Sequence, residues 1–247
     1  MDALTMAAAS GLRARIESLD LLANNLANAT TAGFKADRES YSTYFSQDAL
    51  EGPAGSLPVA APVVENNWTD HGQGVLTATG NPLDFALAGP GFFVVEGPGG
   101  GPLYTRNGNF LISREGYLVN QEGQRVRNGE GKPIQLDPYL PVESDSQGTL
   151  RQAGRVAGKL AVVDIKNRQE LKKAGSTYFS YETPAGGLPA AAAKVEQGRL
   201  EAANFHPAEA AVRLVGVMRQ FEMLNRALSL GGEMNRKTID EVARVRE

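Results

Sequence analysis

Two stretches of this chain, one near each end, repeat their apolar residues with helical spacing. In the first, Leu12, Ile16, Leu19, Ala23 and Leu26 step by 4, 3, 4 and 3, and Leu4 and Ala8 extend the stripe backwards. Steps of three and four keep side chains on one face of an α-helix, so the pattern predicts an amphipathic helix. It should stop near Thr30-Thr31-Ala32-Gly33, where two β-branched residues precede a glycine. In the second stretch, Ala210, Leu214, Val217, Phe221, Leu224, Leu228 and Gly231 step by 4, 3, 4, 3, 4 and 3, and Val215 and Met218 widen the face. Pro207 suits a first helical turn, where its missing N–H costs nothing, and Asn204 is a candidate cap. Gly231-Gly232 should weaken this helix, at about 1 kcal/mol per glycine relative to alanine, and leave a more loosely held helical tail.

The middle has a different period. Short β-branched and aromatic runs (Leu83 to Leu87, Phe92 to Val95, Gly116 to Val119, Leu160 to Val163, Tyr178 to Tyr181) are separated by glycine, proline and Asn-Gly pairs. That pattern predicts antiparallel strands. Asn107-Gly108 and Asn128-Gly129 are the strongest hairpin signals, because a type I′ turn needs two positive φ angles that this pair tolerates. Gly97 to Pro102 reads as a long hairpin tip. Residues 36–75, with Pro53, Pro58 and Pro62, read as an extended connector. The expected plan is α+β: residues 1–35 and 198–247 supply helices of a coiled-coil-like inner domain, and residues 76–197 form a central antiparallel β domain.

Composition narrows the function. With 28 Gly and 13 Pro in 247 residues the chain is no helical bundle, and a formal charge of −3 is too balanced for phosphate-backbone binding to dominate, so no nucleic acid partner is expected. The absence of cysteine removes disulfides, thiolate catalysis and cysteine zinc sites. No apolar run is long enough to insert in a membrane, and the start lacks the pattern of a cleaved secretory signal. The two histidines, His71 and His206, sit in turn-like contexts and read as surface or capping residues. Gly129-Glu130-Gly131-Lys132-Pro133 lacks phosphate-loop spacing. No catalytic residue, metal site or cofactor is expected.

Terminal stripes need partners, since single helices are marginal in water. Their residues Leu12, Ile16, Leu19, Leu26, Leu214, Val217, Phe221, Leu224 and Leu228 are therefore candidates for an assembly interface. An intramolecular helix pair is the alternative. Asn24, Asn25 and Asn28 cluster where a poor helix former is unexpected, and make either intersubunit hydrogen bonds or a capped helix end.

Particular motifs carry a resemblance. Ser10-Gly11-Leu12, then Leu21-Leu22-Ala23-Asn24-Asn25-Leu26-Ala27-Asn28-Ala29-Thr30-Thr31-Ala32-Gly33-Phe34-Lys35, resembles the N-terminal signature of bacterial flagellar rod and hook proteins. Gly80 to Phe93 with Tyr104-Thr105-Arg106-Asn107-Gly108 resembles the motif opening their β domain, and Gly198-Arg199-Leu200-Glu201-Ala202-Ala203-Asn204 their C-terminal signature. Arg219-Gln220-Phe221-Glu222-Met223 is most similar to the proximal rod branch. The resemblance implies a structural, non-enzymatic subunit of the basal-body rod across the periplasm. Terminal helices would form its inner layer, and its partners would be itself, other rod proteins and the flagellar type III export apparatus. A distal-rod or hook-type paralogue, or a glycan-binding or peptidoglycan-acting protein, is the alternative.

Overall fold

The computed structural model describes residues 3–45, 60–182 and 187–244, and the chain divides into two compact units. The first gathers residues 1–27, 37–68 and 206–247. Its elements are α1 (Ala3–Ala27), β1 (Asp37–Phe45), β2 (Ala60–Thr69) and α2 (Pro207–Arg244). Both helices fall where the periodicity predicts them, and they pack on each other. α2 begins at Pro207, and the carbonyl of His206 accepts the Ala210 N–H. It continues through Gly231, which is buried, and Gly232 to Arg244, so the residues beyond the glycine pair are helical.

Residues 36–75 differ from the expected connector: they carry β1 and β2, which form a two-stranded sheet. The strand was hidden because Asp37-Arg38-Glu39-Ser40 is polar, yet Glu39 joins three elements. Its Oε1 accepts the Ser18 hydroxyl of α1 at 2.6 Å and the Arg213 guanidinium of α2 at 2.6 Å. The Asn25 amide closes the same seam, accepting the Asp37 N–H at 3.0 Å and donating to the Asp37 carbonyl at 2.8 Å.

The second unit, residues 28–36 and 69–205, holds β3 (Leu76–Ala78), β4 (Phe85–Ala88), β5 (Phe92–Glu96), β6 (Pro102–Thr105), β7 (Phe110–Ile112) and β8 (Leu118–Asn120). There follow β9 (Glu143–Ser144), β10 (Thr149–Gln152), β11 (Arg155–Lys159), β12 (Val162–Val163), β13 (Lys172–Lys173), β14 (Tyr178–Ser180), β15 (Lys194–Gln197) and β16 (Arg199–Glu201). The largest sheet has the order β12-β5-β6-β14-β13, with antiparallel pairs throughout. β5, next to the central β6, is covered on both faces. Phe93 and Val95 point into one apolar cluster with Phe85, Phe110 and Leu118, while Phe92 and Val94 point into another with Tyr104 and Phe179. An unbroken apolar run is what a strand covered on both faces requires.

Two turns depart from the expected chemistry. Gly97 to Pro102 is the tip joining β5 to β6, as anticipated; Asn128 starts a tight reversal closed at Lys132, but its positive φ falls at Gly131 and not at Asn128-Gly129, so it is not the expected type I′ pair. Asn107-Gly108, however, closes no hairpin: β6 pairs with β5 and β14, and β7 with β8. Gly108 instead lies so close to β4 that a Cβ would meet the Phe85 carbonyl oxygen at 1.8 Å. A two-residue hairpin does occur between β10 and β11, at Ala153-Gly154, with φ of 47° and 76°. Both angles are positive, as a type I′ turn demands, and Ala153 is the lone non-glycine residue among those described with positive φ. Ala153→Asn should relieve that strain and raise stability by about 1 kcal/mol. Chemical denaturation of the purified protein checks this, the expected result being a higher midpoint at unchanged slope.

A buried charge cluster as the candidate functional site

Each of the three quoted motifs places one charged residue at the same buried point of the second unit. Lys35, which lies beyond the end of α1 at Ala27, ends the first motif; Arg106 lies in the second and Glu201 in the third. All three side chains are almost wholly withdrawn from water. One oxygen of Glu201 accepts Lys35 Nζ at 2.5 Å and the Gly74 N–H at 2.9 Å, and the other accepts Arg106 Nη1 at 3.1 Å. Lys35 Nζ also donates to the Gly72 carbonyl at 2.6 Å, and Arg106 Nη2 to that of Gly89 at 2.9 Å. Burial pulls the Lys35 ammonium below its ordinary value, and Glu201 opposes that pull.

Backbone bonds join the same segments. Gly33 donates to the Glu201 carbonyl at 2.7 Å, and Asn204 Oδ1 accepts the Ala36 N–H at 2.8 Å while its Nδ2 donates to the Asp70 carbonyl at 2.6 Å. Asn204 is thus a stitch between three stretches of chain and not the α2 cap expected from its position. Gly33 has φ of 69°, and a Cβ there would stand 2.3 Å from the Asn107 nitrogen, so this contact requires glycine. Lys173 bonds the Lys35 carbonyl at 3.0 Å and lies 4.7 Å from the centre of the Phe34 ring.

His71 borders the cluster and corrects another expectation. It is half-buried, with its ring edge-on to Phe179 at 5.0 Å and to Phe92 at 5.9 Å. Burial, with the nearby Arg168 and Lys35 charges, lowers its pKa to about 4. His206 is exposed, as expected.

The helical residues proposed from sequence divide between two faces. On α1, Ile16 (48% exposed) and Leu26 (39%) face water, Leu12 and Leu19 are half-buried, and the buried line is Ala8, Gly11, Ala14, Ser18, Leu22 and Asn25. Mostly small residues, with Leu22, line the inside, and the stripe of larger ones is exposed at Ile16 and Leu26. The Asn25 amide bonds Asp37 within the chain, and Asn28 accepts the Thr31 N–H at 3.0 Å in the turn after α1. Asn24 is exposed. On α2, Val217 is buried, and Leu214, Phe221, Leu224 and Leu228 are half-buried. Sequence reading missed Lys35, Arg106 and Glu201. The available signal was a charge set inside each apolar, glycine-bearing motif.

Together, fold and cluster define a class: a subunit with a helix at either end of its sequence and a β domain whose linking segments are locked by buried charge. Residues 7–35 match the family described as flagella basal body rod protein, and residues 86–157 the flagellar hook protein FlgE/F/G D1 domain. The chain is 32% identical to the flagellar basal-body rod protein FlgF of Caulobacter vibrioides, over 92% of each chain. It is 30% identical to the flagellar basal-body rod protein FlgG of Agrobacterium fabrum, over 92% of this chain and 94% of that one, and 31% identical to FlgF of Mesorhizobium japonicum, over 83% of each. The chain belongs to the family of flagellar basal-body rod proteins.

Two measurements test the cluster. Glu201→Gln leaves two buried cations without their carboxylate and should destabilise the protein by about 3–5 kcal/mol, read from its denaturant midpoint. His71 takes up its proton near pH 6.5 when unfolded but only near pH 4 when folded. Its contribution is therefore present above about pH 6.5 and lost as pH falls through about 4. In His71→Gln the drop in urea midpoint between pH 7 and pH 5 should shrink.

Proposed function

We propose that this chain is a structural subunit of the flagellar basal-body rod that assembles with its own copies and with other rod proteins through its terminal helices. One observation carries the reading: large apolar side chains face water on both helices. They are Ile16 and Leu26 on α1 and Val212, Val215, Met218, Met223 and Leu230 on α2. Apolar faces of this extent mark interaction surfaces. Burying each Leu or Ile contributes roughly 1.5–3 kcal/mol, which a lattice repeats in every subunit and which suits a stiff shaft carrying torque.

In this reading the helices form a coiled-coil-like inner layer and residues 76–197 the outer domain. The α1 interface comprises Leu12, Ile16, Leu19 and Leu26, and the expected α2 seam, Leu214, Val217, Phe221, Leu224 and Leu228, serves the pairing of the helices within and between chains. Asn24 lies on the exposed side of α1 and belongs to this interface. The role is mechanical, without catalysis. The flagellar type III apparatus exports the chain. Arg219-Gln220-Phe221-Glu222-Met223 and the resemblance to two FlgF proteins support the proximal branch.

Ile16→Asp and Leu26→Asp test this directly. Both side chains are partly exposed in the single chain, so stability should fall by no more than about 1–2 kcal/mol, from lost helix propensity and, at Leu26, the helix C-terminus. Swimming in soft agar should be lost, because each subunit contact would bury a carboxylate without a partner. Normal swimming and full-length rods in both variants would overturn the interface.

A further inference from the structure

The turn between Asp137 and Pro141 is built to hold an aromatic side chain out of the protein. Leu136 before it and Val142 after it are anchored in the core. The buried Gln152 staples the backbone between them: its Oε1 accepts the Asp137 N–H at 2.9 Å, and its Nε2 donates to the carbonyls of Asp137 at 2.8 Å and Leu140 at 3.1 Å. Asp137 Oδ1 takes the Tyr139 N–H at 2.9 Å, and Pro138 and Pro141 fix φ on either side. At the tip Tyr139 is 92% exposed and Leu140 40%. A fixed backbone under an exposed tyrosine is the arrangement of a binding anchor, since the ordering cost has been met before contact.

The same unit carries a groove of about 860 Å³ with apolar walls that include Val162, Val163, Leu188 and Ala191. Lys159 and Lys194 stand in its lining, and neither forms an ion pair among the described residues. The turn and the start of β9 after it have the opposite charge: Asp137 and Glu143 are exposed and in no ion pair among those residues, with Arg151 of β10 opposite Glu143 in the ladder. Tyr139 cannot fill the groove of its own chain, because it faces water.

We propose that the Tyr139-Leu140 turn of one copy docks into the groove of the next copy, with Asp137 and Glu143 meeting Lys159 and Lys194. Turn and groove are different patches, so the contact is head-to-tail, and repetition of such a contact gives a ring or an open helix. This rests on the reading of the chain as a self-assembling subunit.

The cysteine-free chain allows a direct test. Pro141→Cys chains, which keep Tyr139, and Ala192→Cys chains are co-expressed in cells lacking the native protein, basal bodies are isolated and oxidised, and the products are resolved without reductant. A disulfide-linked dimer containing one chain of each kind is expected, with a ladder of larger species from the double variant. Lys194→Glu should lower the yield several-fold and Glu143→Lys in the same chains should restore it. If the chains co-sediment with basal bodies yet form no such dimer, or link only to a different protein, the head-to-tail contact is overturned and the assembly reading stands. If neither the variants nor the native chain co-sediment, that reading falls and takes this contact with it.

Discussion

A carboxylate removed from water is tolerated only where fixed positive charge and hydrogen-bond donors replace its hydration. Glu201 meets that condition with Lys35, Arg106 and the Gly74 N–H, and the second unit is organised around the arrangement. Gly33 must be glycine because the segment carrying Lys35 passes against the backbone of Arg106 and Asn107. Asn204 is a stitch because the segment after Glu201 lies beside Ala36 and Asp70. The apolar clusters beneath β5 supply most of the burial, but they do not choose which segments meet at this point. The charges do, since an unpaired alternative would be far costlier than a misplaced leucine.

Much of the fold could be read from periodicity. Steps of three and four located both helices, and the β-branched runs marked five of the strands, because these signals are local. What was hidden depended on partners distant in sequence. β1 is polar and reads as a connector until Glu39 is seen to answer Ser18 and Arg213. Asn107-Gly108 has the composition of a hairpin turn, but the strands on either side of it pair elsewhere, and composition carries no information about that choice. At Ala153-Gly154 only the second position has the favoured composition, and alanine takes the first at positive φ.

The first helix shows that a period locates a helix without saying what each of its faces touches. Of the stripe read as an assembly interface, Ile16 and Leu26 are exposed and Leu12 and Leu19 half-buried. The buried line is instead Ala8, Gly11, Ala14 and Leu22, with Ser18 and Asn25 bonded to β1 residues. Small side chains let neighbouring backbone approach closely, and polar ones fix the register. The charged trio escaped notice for a related reason: a lone lysine, arginine or glutamate reads as surface, and only convergence of the three segments reveals the site.

The distance along the chain between Lys35 and Glu201, 166 residues, bears on the timing of folding. The β5–β6, β7–β8 and β10–β11 hairpins close over short loops and can form early, whereas the ion pair waits on one of the longest loop closures in the molecule. A chain that emerges amino end first presents Lys35 near the beginning of synthesis and its counterion only when four-fifths of the polypeptide exists. Until then the lysine stays hydrated and the segment around Gly33 has nothing to bind. Completion of the β unit is thereby tied to arrival of the C-terminal motif, and a truncated chain would lack the carboxylate that closes it.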